Sequence, residues 1–182
     1  MRFALLAVLL SLAPLASAQT RASAEVRPSP NAVVGQTVGT TDILVTYGRP
    51  SMRGRTVFGP DSTALAPYGR VWRLGANEAT TLTLSRDARV AGQPLAAGTY
   101  AVFAIPGAAA WTVIFNRTAE QWGAYRYDAS KDALRVVVAA ETSEDDSEEM
   151  FDIEFDDVTP TSAVLTLEWE RVTVPVQIEV AG

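Results

Sequence analysis

From Val33 to the C-terminus the chain repeats with a period of two. Leu82 and Leu84 alternate with Thr81 and Thr83, and Trp111, Val113 and Phe115 alternate with Thr112 and Ile114. Phe151, Ile153 and Phe155 alternate with Asp152, Glu154 and Asp156. Ala163, Leu165, Leu167 and Trp169 continue the pattern, as do Val172, Val174, Val176, Ile178 and Val180. Successive side chains of a strand point to opposite faces, so this alternation predicts strands with one face in a core and the other in water. Turn residues punctuate the runs at spacings typical of antiparallel sheets, and the expectation is an all-β fold, a jelly-roll or immunoglobulin-like antiparallel β-sandwich of roughly ten short strands. Residues 87–107 read as a hairpin-like unit: a strand, a turn at Gly92, a second strand from Thr99 to Ile105 and a stop at Pro106-Gly107. Only residues 119–126 have room for a helical turn, and Gly123 weakens it. Pro175 cannot donate to a ladder, which predicts an edge position or a bulge in the last strand.

The chain holds no cysteine, so packing alone must hold the sandwich together. Residues 1–18 combine Arg2, an apolar run from Phe3 to Leu15 and the small residues Ala16, Ser17 and Ala18, the pattern of a secretory signal peptide cleaved before Gln19. That run is too short for a spanning helix of about 20 residues, and no later run approaches such a length. The expected product is exported, periplasmic or extracellular, without a membrane span. Residues 19–32 are rich in Ser, Pro and Ala and read as a flexible leading segment, which leaves 33–182 as a single sandwich domain.

Absent residue types narrow the chemistry. Without histidine or cysteine there is no Ser-His-Asp or Cys-His pair, no ordinary zinc or copper site and no thiol redox chemistry, and no cofactor is called for. A net charge of −6 argues against a nucleic-acid partner. The charges are nonetheless segregated: five of the 15 positive residues lie between Arg49 and Arg73, and ten of the 21 carboxylates lie between Glu141 and Asp157.

The basic segment carries the candidate site. In "YGRPSMRGRTVFG" (47–59), Tyr47, Arg49, Arg53 and Arg55 stand among turn-forming Gly48, Pro50 and Gly54. In "VWRLGANEAT" (71–80), Trp72, Arg73, Asn77 and Glu78 surround Gly75 in a stretch that otherwise reads as sheet. A guanidinium offers a planar fork of donors that matches carboxylate or phosphate oxygens two at a time. The arginines can therefore grip a small anionic or hydroxyl-rich, carbohydrate-like ligand, with Trp72 or Tyr47 stacking on it and Asn77 with Glu78 orienting it. Trp122, between Gln121 and Gly123, is a further aromatic ligand contact, whereas Trp111 and Trp169 fall in phase with the core. No catalytic residue and no metal ligand is assigned.

These stretches, together with "G-x-x-L-x-A-G-T-Y", "W-T-V-I-F-N" and "Q-W-G-A-Y-x-Y", resemble the exported bacterial family catalogued as domain of unknown function 2911, over about residues 27–180. The resemblance implies export and implies no activity.

Three other readings compete with the binding module. Glu78 can serve a carboxylate-based, glycosidase-like hydrolase if a second carboxylate faces it. The acidic run 144–157 can serve a calcium-dependent module, although it lacks a D-x-[DN]-x-[DN]-G loop and Asp152, Glu154 and Asp156 read as the wet face of a strand. In a purely structural protein the Arg cluster is paired internally, Glu78 with Arg73, Arg49, Arg53 or Arg55, as a clasp.

Overall fold

The computed structural model describes Arg21 and residues 25–182; the expected signal peptide over 1–18 lies outside the described residues. Fourteen strands follow in order: β1 (Asn31–Val38), β2 (Thr41–Gly48), β3 (Phe58–Gly59), β4 (Ala66–Pro67), β5 (Thr80–Leu84), β6 (Ala88–Val90), β7 (Gln93–Leu95), β8 (Gly98–Ile105), β9 (Ala110–Asn116), β10 (Asp132–Ala139), β11 (Glu141–Thr142), β12 (Glu148–Asp156), β13 (Ser162–Glu170) and β14 (Val172–Val180). They form two antiparallel sheets, ordered β1-β2-β5-β8-β9-β10 and β12-β13-β14-β6-β7, with β11 on the flank of β14 and a small parallel pair, β3 with β4. This is the all-β sandwich expected from the alternation, and three of its strands are only two residues long. The core lies between the sheets: Ile43, Val45, Leu82 and Phe115 from the first meet Phe151, Leu167, Val176 and Ile178 from the second. Among the described residues no helix is long and apolar enough to cross a membrane.

The first strand starts at Asn31, pairing with β2 from Asn31↔Gly48 onward. Three local expectations are revised. The 87–107 unit is split between the sheets: β6 and β7 form the hairpin around Ala91-Gly92, both at positive φ, while β8 crosses to pair with β5 and β9. The helical turn is a 3-10 turn at Ala129–Lys131, capped by Asp128, rather than at 119–126. The middle strands β8 and β9 are buried on both faces, since Ala101, Phe103 and Ile114 join Ala79 in a second apolar cluster roofed by Ala124 and Tyr127. The 119–127 segment is thereby fastened across the outside of the first sheet.

Pro175 behaves as expected. It faces Thr166 of β13, and on its other flank β14 is unpaired between β11, at Val172–Thr173, and β6, at Ile178–Val180. The missing N–H falls at a local edge.

Candidate functional site

The stretch 71–79 is a coil wedged against the end of β2. Leu74, Gly75 and Asn77 all have positive φ, an arrangement Asn and Gly tolerate and which here turns the chain back on itself within four residues. The two backbones touch: a Cβ on Gly48 would lie 2.4 Å from the carbonyl O of Ala76, and one on Gly75 would lie 2.7 Å from the carbonyl O of Gly48. Upstream, Trp72 exchanges backbone bonds with Ala104 of β8 at 2.7 and 2.9 Å. That bridge aims the indole inward.

Trp72 is 8 % exposed and sits against Phe151 at 5.2 Å, Trp169 at 5.7 Å, and Phe58 and Trp111 at 5.9 Å, centroid to centroid. Its Nε1–H donates to the Gly75 carbonyl at 3.2 Å, so the polar edge of the ring is satisfied inside the protein. Its faces are occupied by other rings and cannot stack on a ligand. Tyr47 is buried likewise: its hydroxyl donates to Asp152 Oδ1 at 2.5 Å and accepts from Ile153 N–H at 3.1 Å. Burial and the neighbouring Asp152 carboxylate push its phenol well above the usual range.

The eight residues expected to form one pocket, Trp122 aside, therefore separate into two groups. One is a clasp. Arg49 pairs with Asp152 at 2.9 Å and donates from Nε to Phe151 O, so Tyr47 and Arg49 of the first sheet are tied to β12 of the second. Glu78 is held by Arg27, whose two Nη groups reach its carboxylate at 2.7, 3.0 and 3.1 Å. Asn77 donates to Ser29 O at 3.1 Å, Arg49 N–H donates to Pro30 O at 2.8 Å, and Arg53 donates to Pro28 O at 3.3 Å. Residues 28–30, the end of the leading segment, are thus a strap bonded across the coil. A Glu78 clasp was foreseeable, but with the wrong arginine: Arg27 lies 51 residues away in a stretch without periodicity. Nothing in the local sequence marks it.

Burial alone would raise the Glu78 carboxyl, but the Arg27 fork, a bond to its own backbone and the charges of Arg27 and Arg21 outweigh that and hold it below its ordinary value of 4.5. A carboxyl held down in the folded state contributes stability above its unfolded pKa and loses it as pH falls through the folded pKa. With side-chain exposures of 20 % and 14 %, the Arg27–Glu78 pair falls between surface and buried pairs. Glu78→Gln is therefore expected to cost about 1–3 kcal/mol at pH 7, and the difference from wild type should shrink as pH drops below 4.5. Urea midpoints of both proteins at pH 7 and pH 3 check it; a difference that grows on acidification would contradict the assignment.

The second group is a cleft. Arg55 and Arg73 line a hollow of about 170 Å³ with Ser29, Leu65 and the edges of Trp72 and Trp169. Arg55 is braced by the carbonyls of Ser51 and Met52 at 2.8–2.9 Å, and Arg73 by that of Gly75 at 3.3 Å. Among the described residues neither has an ion-pair partner, and the hollow's lining contains no carboxylate. Trp122 lies apart from this hollow, 56 % exposed, and its backbone forms a bridge with Glu78. A larger hollow of about 640 Å³ lies elsewhere, along β6 and β14, but there Arg89 stands 3.9 Å from Glu179 and beside Asp87, so its charge is balanced. Among the described residues no group of three or more carboxylates is placed to hold a metal ion.

The chain matches no curated protein and no solved structure. The profile of the family described as "Protein of unknown function (DUF2911)" matches residues 29–178, a span that takes in both sheets, the coil and the cleft. The chain belongs to that family of proteins of unknown function.

Proposed function

We propose that this protein is an exported binding module for a small anionic, hydroxyl-rich ligand held between Arg55 and Arg73. Export rests on the signal-peptide pattern of residues 1–18. The observation that carries the binding reading is the contrast within one basic neighbourhood: Arg27 and Arg49 are paired with carboxylates, whereas Arg55 and Arg73 share a cleft without any. Guanidinium groups braced by backbone carbonyls on one side keep their remaining donors for an outside acceptor. Leu65 and the indole edges supply an apolar wall suited to the carbon face of a sugar or similar ring. The internally paired reading accounts for Arg49 and Glu78 but not for Arg55 and Arg73. The hydrolase alternative loses its acid, because Glu78 is held ionised by Arg27 and engaged on both oxygens.

Galacturonate, a sugar acid, is the probe, titrated into the mature protein at low ionic strength and followed by the Arg Nε–H and Trp Nε1–H resonances. Loss of one charge-assisted contact is worth about 1.5–3 kcal/mol, so Arg73→Gln should weaken binding roughly ten- to a hundredfold. Salt near 1 M, where the screening length is about 3 Å, should weaken it too. If the wild type does not respond to galacturonate, or Arg73→Gln and Arg55→Gln respond as the wild type does, the cleft is not the site.

A further inference from the structure

The Arg55–Arg73 hollow is not isolated. A second hollow of about 300 Å³ shares Leu65, Trp72 and Arg73 with it and extends to Ala124 and Tyr125. A third, of about 440 Å³, begins at Tyr125 and runs past Trp122 and Arg126 to Glu120. Arg73 stands on the first divide and Tyr125 on the second. The backbone explains how Arg73 comes so close to the outer segment. Gly123 has a φ of 66°, and a Cβ there would lie 2.9 Å from Arg73 Nη1 and 3.0 Å from the Tyr125 ring. The glycine favours the positive φ and lets the 122–125 turn settle over the guanidinium, and that turn is fixed by Gly123 N–H donating to Asn77 O at 3.0 Å and by the Ala124 and Tyr127 roof beneath it.

Three features of this track suit an occupant. Trp122 and Tyr125, 56 % and 83 % exposed, are aromatic faces left in water although Trp111 and Trp169, equally apolar, are buried. Arg55, Arg73 and Arg126 have no ion-pair partner among the described residues. Across all three hollows the single carboxylate is Glu120, in a protein whose net charge is −6. The track is therefore locally positive and interleaved with flat apolar faces on an otherwise acidic molecule. We infer that it binds an acidic oligosaccharide, a chain of sugar rings each bearing a carboxylate, with successive carboxylates on Arg55, Arg73 and Arg126 and ring faces on Tyr125 and Trp122. The inference rests on the binding reading above and extends it from one sugar acid to several linked ones. An acidic peptide would match the arginines but would leave the aromatic faces without a partner, whereas the carbon face of a pyranose covers them.

The test compares galacturonate with its linear tetramer on the wild type, Trp122→Ala and Arg126→Gln, all substitutions at exposed positions. Linking sugars that occupy adjacent subsites raises affinity through effective concentration, so the tetramer should bind the wild type at least about tenfold more tightly than the monomer. Trp122→Ala should weaken the tetramer roughly three- to tenfold, the scale of one aromatic contact, and by a larger factor than it weakens the monomer. Arg126→Gln should do the same, and two variants guard against one that folds poorly. A tetramer that binds no more tightly than the monomer, or is indifferent to both substitutions, overturns the extended track while leaving monomer binding at Arg73 intact. Failure of the wild type to bind the monomer, with Arg73→Gln without effect on either probe, removes the cleft itself. Tetraglutamate binding as tightly as the tetramer overturns the assignment to a glycan.

Discussion

Replacing Trp72 by alanine is expected to lower the thermal midpoint by roughly 6–20 °C. Truncation of a buried Trp costs about 3–5 kcal/mol through lost transfer energy and the cavity left behind, and for a domain of this size each kcal/mol is worth about 2–4 °C. The indole of Trp72 is packed by four other rings drawn from both sheets and the β3 segment, so little of the resulting void can close by local collapse. Trp72→Phe keeps much of the volume but forfeits the 3.2 Å bond to Gly75 O, leaving that carbonyl without the indole donor, and should fall between wild type and alanine. Thermal melts followed by near-ultraviolet circular dichroism rank the three. A Trp72→Ala midpoint within a degree or two of wild type would contradict the buried position of this ring and favour its role as a ligand platform.

Gly75→Ala should be nearly as damaging although it adds a single methyl. A φ of 138° is a conformation only glycine adopts comfortably, and the new Cβ would meet the Gly48 carbonyl at 2.7 Å, backbone against backbone. Backbone strain and overpacking each cost about 1–3 kcal/mol, so a loss of about 2–6 kcal/mol is expected. The damage should also be local to the site, because the Gly75 carbonyl accepts from both Trp72 Nε1 and Arg73 Nε. Gly54→Ala is the control: its φ is also positive, at 72°, but nothing lies within 4 Å of the added carbon. Urea unfolding of the pair separates strain from collision, and equal losses would mean that the crossing of β2 and the coil is looser than these distances require.

What the sequence disclosed and what it concealed divide along the range of the interaction. Alternation is local, so Ala163–Trp169 and Val172–Val180 are legible as strands without any knowledge of their neighbours. Sheet membership is not local: 87–105 reads as one unit because nothing in its period tells that β6 and β7 stay on the second sheet while β8 returns to the first. The alternation puts Ile114 with Thr112 on a wet face, and only the roof laid over it by Ala124 and Tyr127 makes it core. The same limit governs the site. The segment 47–78 was identified by composition, as arginines and aromatic rings among glycines. Which members are clasp and which are cleft depends on partners 51 residues away for Glu78 and 105 for Tyr47, and Asp152 looked like one acid among ten. Trp72 reads as a ligand contact because its polar neighbours, Arg73, Asn77 and Glu78, share its stretch, yet the coil turns the ring inward and leaves them nearer the surface.

The separation of clasp from cleft is tested most directly by measuring stability and galacturonate binding together for Glu78→Gln and Arg73→Gln. Glu78→Gln should lose about 1–3 kcal/mol of stability and, once folded, bind galacturonate as the wild type does. Arg73→Gln should unfold with a midpoint close to wild type and bind roughly ten- to a hundredfold more weakly. The opposite pairing, with Arg73→Gln destabilised and Glu78→Gln stable but unable to bind, would mean that the carboxylate belongs to the site and the guanidinium to the scaffold.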